Sequence, residues 1–231
     1  MLLSPVNINP NKNTQNSALV PSFELGKSRN NSYTTKQKAL VATTSALGVL
    51  GVMMLLAKHQ NMKFFTKKFK DSYFVKANYA NPVPIIGMGA GSILGGLAGG
   101  YAIDKNETNR KAKKREALLQ MGNVAIPILT VDLTVDKLFK KASKWGKAAA
   151  GIGGVFVGVA LANFVMNKLN NLIFHNKDER GVKITDYSAH IDDMVTAASY
   201  ISKSKAVYYI SRIIPFALMI PGNEVGKKTF G

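Results

Sequence analysis

Apolar and charged positions are segregated along this chain, not interleaved. Charge-free stretches of 19 residues (39–57), 27 residues (77–103) and 20 residues (148–167) alternate with lysine-dense runs. A bilayer's hydrocarbon core, about 30 Å thick, takes roughly 20 helical residues to cross, so each stretch is long enough. The pattern predicts an all-α protein of multi-pass transmembrane helices, with spans at 39–57, 83–103 and 148–166. Two further segments are candidate spans or surface segments. Residues 117–131 are interrupted by Asn123 and Pro127, and residues 206–221 contain Arg212 and Pro215. Residues 1–35 are rich in Asn, Ser, Thr and Pro without periodicity, which predicts a disordered tail. A helical membrane domain is expected over 36–221, followed by a C-terminal tail over 222–231.

Between the spans the period changes. Over 58–76, Met62, Phe65, Phe69 and Tyr73 share one helical face while Lys63, Lys67 and Lys70 share the other. Over 135–145, Val135, Leu138, Phe139, Ala142 and Trp145 face away from Lys137, Lys140, Lys141 and Lys144. Both patterns predict interfacial amphipathic helices, apolar face in the acyl boundary and lysines among headgroups. A helix packed on the protein's own spans would carry the same pattern. The residues expected at the lipid interface are Lys63, Phe65, Lys67, Phe69, Lys70, Phe139, Lys140, Lys141 and Trp145. Trp145, the single tryptophan, stands where an interfacial anchor would. Residues 104–116 read as a charged loop, and 186–203 as a polar amphipathic helix outside the hydrocarbon.

The spans carry their own signal. Gly87, Gly91, Gly95 and Gly99 recur every fourth residue, and Gly146, Ala150, Gly154, Gly158 and Ala162 form a second such ridge. Glycine weakens a helix in water by about 1 kcal/mol relative to alanine, but in lipid small residues in register let helices approach closely. These nine positions are the expected helix-packing residues, and the two ridges are expected to pack on one another. Region 83–105, with its GMGAGSILGGLAGGYAIDK, resembles the glycine-zipper segments of bacterial envelope proteins, surface-antigen lipoproteins among them. That resemblance implies helix packing through small residues. The acylated cysteine of those lipoproteins has no counterpart here, because the chain contains no cysteine.

Composition narrows the functions. The net charge is +18, and 26 of the 31 basic residues are lysine. The basic residues flank apolar spans and no base-reading motif is present, so anionic headgroups are the expected partner and nucleic acid is not. The absence of cysteine excludes disulfides, thiol catalysis and cysteine-based zinc sites. Asp186, His190 and Asp193 have a spacing that could hold a divalent metal or pair a base with an acid, but a solvated polar face is the favoured reading. No metal, cofactor or catalytic residue is therefore assigned. The expected function is that of a non-enzymatic membrane component that packs and self-associates through its glycine ridges, with lysines on anionic lipid or partners. A holin-like or small-channel protein is one alternative, and a membrane-bound metal-dependent enzyme another. The excess of lysine over arginine fits an AT-rich genome and a bacterial inner membrane.

Overall fold

The computed structural model describes residues 33–68, 71–77, 82–175, 179–190, 194 and 211–230. The described residues are helical, without strands. The helices are α1 (Thr35–His59), the one-turn α2 (Tyr73–Lys76), α3 (Pro82–Ile103), α4 (Glu107–Asp132), α5 (Lys144–Phe174), α6 (Ile214–Ala217) and α7 (Met219–Lys227). Four stretches, Thr35–His59, Pro82–Ile103, Glu107–Leu138 and Lys144–Phe174, are long and apolar enough to cross a membrane. Local chemistry sets their starts. Thr34 and Gln37 form a reciprocal capping box on α1. The Asn106 side chain accepts from the Thr108 and Asn109 amides to open α4, and Ser143 accepts from Gly146 to open α5.

α1 and α3 pack antiparallel, with Gly48 against Gly91 and Thr44 against Gly95 and Gly99. α4 turns back along α3, placing Val124 on Gly89, and α5 turns back along α4, placing Gly154 on Val131 and Gly158 on Pro127. α7 lies parallel to α3, with Gly222 on Gly96 and Gly226 on Gly100. The bundle thus has a first end, holding Tyr33, Asp104, Lys113 and Lys228, and a second end, where the Arg212 guanidinium donates to the Ala77 carbonyl at 2.9 Å. The main core lies among α1, α3, α4 and the α6–α7 segment, around Val49, Met53, Met88, Val124, Leu218 and Val225. A smaller cluster of Val155, Val159 and Val182 joins α5 to the segment that follows it.

Several expectations need correction. The hydrophilic stretch 104–116 is not a loop. From Glu107 onward it forms the first turns of α4, because Ala, Lys, Arg and Glu are good helix formers behind an Asn cap. The segment 117–131 is neither short nor broken, since α4 runs through Asn123 and Pro127. No continuous amphipathic helix covers 58–76. Asn61 takes a left-handed φ of 53° and ends α1, and the Tyr73 amide donates to Lys63, folding Tyr73 into the core. Residues 135–145 are not one helix either. A π-helical stretch (Leu133–Leu138) ends in a turn, and α5 begins at Lys144. Of the helix expected over 186–203, a 3-10 stretch (Ile184–His190) and helical Met194 are described, and the rest lies outside the described residues. The C-terminal tail starts late, because α7 carries residues 219–227 into the bundle with Val225 and Gly226 buried. Residues 1–32 of the N-terminal tail lie outside the described residues, whereas Tyr33 to Thr35 are already tied to the helices.

Candidate functional site

The expected ridge residues lie as follows. Gly87, Gly91, Gly95 and Gly99 face α1, where a Cβ on Gly91 would stand 2.5 Å from the Gly48 carbonyl oxygen. Gly154, Gly158 and Ala162 are buried on the face of α5 that meets α4. The Ala150 carbonyl accepts from the Thr134 hydroxyl of the α4 continuation (3.3 Å), while Gly146 abuts Ala142 and Ser143 at the start of its own helix. The two ridges therefore do not seal against each other: the α3 ridge is filled by α1 and the α5 ridge by α4. Of the interfacial set, Lys63, Phe65, Lys67, Phe139, Lys140, Lys141 and Trp145 are exposed, and Phe69 and Lys70 lie outside the described residues. Leu138, Phe139 and Trp145 stand out beside Lys140, Lys141 and Lys144, so the second end presents apolar and cationic side chains together.

A third seam escaped the sequence reading. Ser92, Gly96 and Gly100 run down the adjoining face of α3, about 100° around from the first ridge, and receive Gly222 and Gly226 of α7, and the Gly222 amide donates to Ser92 Oγ at 3.2 Å. α3 is thus flanked by small-residue contacts on two sides. The visible signal was the adjacent pairs Gly95–Gly96 and Gly99–Gly100, which put a second ridge one residue beyond the first.

The densest chemistry lies at the first end. Arg180 bridges two carboxylates: its Nε stands 3.1 Å from Glu116, and its terminal nitrogens donate to Asp186 at 2.5 and 2.8 Å. Glu116 is 1% exposed and Asp186 is 1% exposed, so both charges depend on this guanidinium. Burial alone would lower the Arg180 pKa, but the two carboxylates more than offset it and hold the value above the ordinary one. Lys228 Nζ stands 3.6 Å from Glu116, the Lys183 amide donates to Asp186 at 2.8 Å, and Gln120 donates to Glu116 at 3.0 Å. Asn167 fastens Arg180 from α5, donating to its carbonyl (2.9 Å) and accepting from its amide (3.1 Å).

A second cluster adjoins it. Lys113, fully buried, donates to Tyr33 Oη at 2.7 Å and to the Lys228 carbonyl at 2.6 Å, and pairs with Asp104 at 3.4 Å. The Tyr33 hydroxyl donates to Asp104, as do the Asn106 amide and Asn109 side chain. Burial raises the Asp104 pKa, but those hydrogen bonds and the Lys113 charge outweigh it and the value falls below the ordinary carboxylate value. Burial, then the bond to Asp104, raises the Tyr33 hydroxyl. The Phe230 amide donates to Asn109 at 3.0 Å, so residues next to both tails meet at the α3–α4 turn.

Asp186 and His190, the weighed metal or catalytic pair, are separated by these roles. Asp186 belongs to Arg180. His190 solves a problem created by proline: Pro127 has no N–H, which leaves the Asn123 carbonyl without its helical donor. His190 Nε2–H donates to that carbonyl at 2.7 Å, which requires the Nε2-protonated ring or the imidazolium. Asp193 lies outside the described residues, and among the described residues no three metal-ligating His, Cys, Asp or Glu side chains come together. The chain matches no family model, no curated protein and no solved structure.

Proposed function

We propose that this chain is a multi-pass integral membrane protein with a non-enzymatic role, a helix-packing component that presents cationic, aromatic-studded ends to anionic lipid headgroups. The observation that carries this is the outward face of the long helices. Leu47 and Leu55 on α1, Leu129 on α4, and Phe156, Val157 and Phe164 on α5 are each more than half exposed. A soluble monomer rarely exposes large apolar side chains along three long helices together, whereas lipid tails solvate them. Burying the pairs at Gly91, Gly96 and Gly158 then holds the helices together by close backbone approach. Because the α3 glycines already have partners within the chain, their contacts favour intramolecular packing over self-association.

The lipid role rests on the second end. Lys140, Lys141 and Lys144 surround exposed Phe139 and Trp145, a combination that combines headgroup attraction with insertion at the interface. Native mass spectrometry of the protein released from mixed-lipid nanodiscs tests it. Anionic lipid should be retained in preference to zwitterionic lipid, and the triple change Lys140→Gln, Lys141→Gln, Lys144→Gln should reduce that preference. Equal retention of both lipid classes by the unaltered protein would remove the lipid part of the proposal.

A further inference from the structure

The seam between α4 and α5 carries buried polar groups that the protein leaves unsatisfied. Both amide atoms of the Asn123 side chain are buried without a hydrogen-bond partner, in a residue only 1% exposed. The Oδ1 atoms of Asn163 and Asn170 are in the same condition. These three asparagines fall on two helical stripes. Glu116, Gln120 and Asn123 fall at i, i+4 and i+7 on α4, one face of that helix. Asn163, Asn167 and Asn170 have the same spacing on α5, and Asn170 Nδ2 reaches the Arg115 carbonyl across the seam at 3.2 Å. The segment 180–190 lies over both stripes, held by Arg180 on Glu116 and by His190 on the Asn123 carbonyl. A buried polar group without a partner bears its full desolvation cost, and buried groups of this kind in folded proteins are met by ordered water or an ion.

Asn123 decides which. Its carbonyl oxygen needs a donor and its amide nitrogen an acceptor, so a cation or an anion would meet only half of the need. Water meets both. The polar stripe has an entry and an end. Lys183 and Lys228, about a third exposed, flank it at the first end. Beyond Asn123 the seam closes, where Gly158 sits directly on Pro127 and the apolar Val155 and Val159 follow, both at 0% exposure.

We propose that this seam is a water-filled half-channel that enters between Lys183 and Lys228, passes Glu116 and Gln120, and stops at Asn123. It gives the bundle a function beyond helix packing: access for water, and for solutes that hydrogen-bond like water, to the middle of the protein from one end alone. The membrane reading matters here only for which compartment the mouth faces. A chain that proves soluble would show itself in membrane extraction and leave the rate comparison below intact.

The chain has no cysteine, so single cysteines can be placed without removing any. Asn123→Cys in the full-length, membrane-reconstituted protein should react with methanethiosulfonate ethylammonium at least about tenfold faster than Val155→Cys, an equally buried position past the closure. Rates equal to that of Val155→Cys would overturn the proposal, and fast labelling of Val155→Cys as well would overturn its closed end. Water-edited solid-state NMR of the unaltered protein, labelled with ¹⁵N-asparagine, covers the case in which a substitution disturbs folding. The Asn123 side-chain signal, assigned by its loss in Asn123→Leu, should build up from water at short mixing times. Its absence at those times would equally overturn the half-channel.

Discussion

Alanine at Gly91 and alanine at Gly51 are the same chemical change on two neighbouring helices, and they should move stability in opposite directions. A methyl at Gly91 would stand 2.5 Å from the Gly48 carbonyl oxygen and 2.6 Å from Val52 Cγ2. Ordinary contact begins near 3.4 Å, so α1 and α3 must part by roughly 0.9 Å, and the first obstacle is backbone that cannot rotate away. A gap of about 0.5–1 Å forfeits a quarter to a half of the dispersion well for each facing atom pair. Overpacking of this kind costs about 1–3 kcal/mol. At Gly51 the added methyl meets nothing within 4 Å, so only helix propensity acts, and it favours alanine by about 1 kcal/mol. The propensity gain acts at Gly91 as well and cancels in the comparison, so the two variants should differ by the overpacking cost, about 1–3 kcal/mol. Thermal unfolding in detergent, followed by circular dichroism and Trp145 fluorescence, measures the difference. If both alanines shift the midpoint in the same direction by similar amounts, close backbone approach is not what holds α1 on α3.

Three further outcomes follow from the first end and its neighbour. Arg180→Met leaves Glu116 and Asp186 buried without their guanidinium and should cost about 3–5 kcal/mol, read as a lowered unfolding midpoint. Adding Glu116→Gln and Asp186→Asn should recover much of that loss, and an unchanged midpoint in the single variant would remove the network from the stability account. His190→Leu should cost about 1–3 kcal/mol by orphaning the Asn123 carbonyl. In a Pro127→Ala background, which restores the helical N–H, the same change should cost far less, and equal costs in both backgrounds would refute the capping role. Asp104 has a folded pKa below its ordinary 3.8, so its contribution is present above that value and is lost as pH falls through the lower folded value. Tyr33, raised from 10.0, contributes fully below 10.0 and loses its contribution as pH climbs through its higher folded value. Protease release of the N-terminal tail should accordingly rise at both extremes, and Tyr33→Phe should abolish the alkaline rise.

The long helices were legible because hydrocarbon-length apolar runs leave few alternatives to helix. The α3 ridge was legible because Gly87, Gly91, Gly95 and Gly99 keep strict register. What faces that ridge was not, because a run of small residues specifies close approach without naming the partner. Thr44 and Gly48, and separately Gly222 and Gly226, fill that role through contacts distant in sequence. The charged stretch 104–116 was misread because charge density signals solvent, whereas Lys113 and Glu116 point inward to Asp104 and Arg180. His190 was noticed for the wrong chemistry. Its role follows from Pro127, 63 residues away, through a backbone carbonyl that no side-chain motif encodes. Aromatics and lysines over 58–76 divide between opposite faces of an ideal helix, but Asn61 breaks the helix before those faces can form.

The central claim is that lipid tails solvate Leu47, Leu129, Phe156 and their neighbours on the outward faces of the long helices. Alkaline carbonate extraction of membranes from cells producing the chain tests it most directly. The protein should stay wholly with the membrane pellet and leave it only in detergent. Recovery in the carbonate supernatant as a folded, monodisperse species would contradict the account.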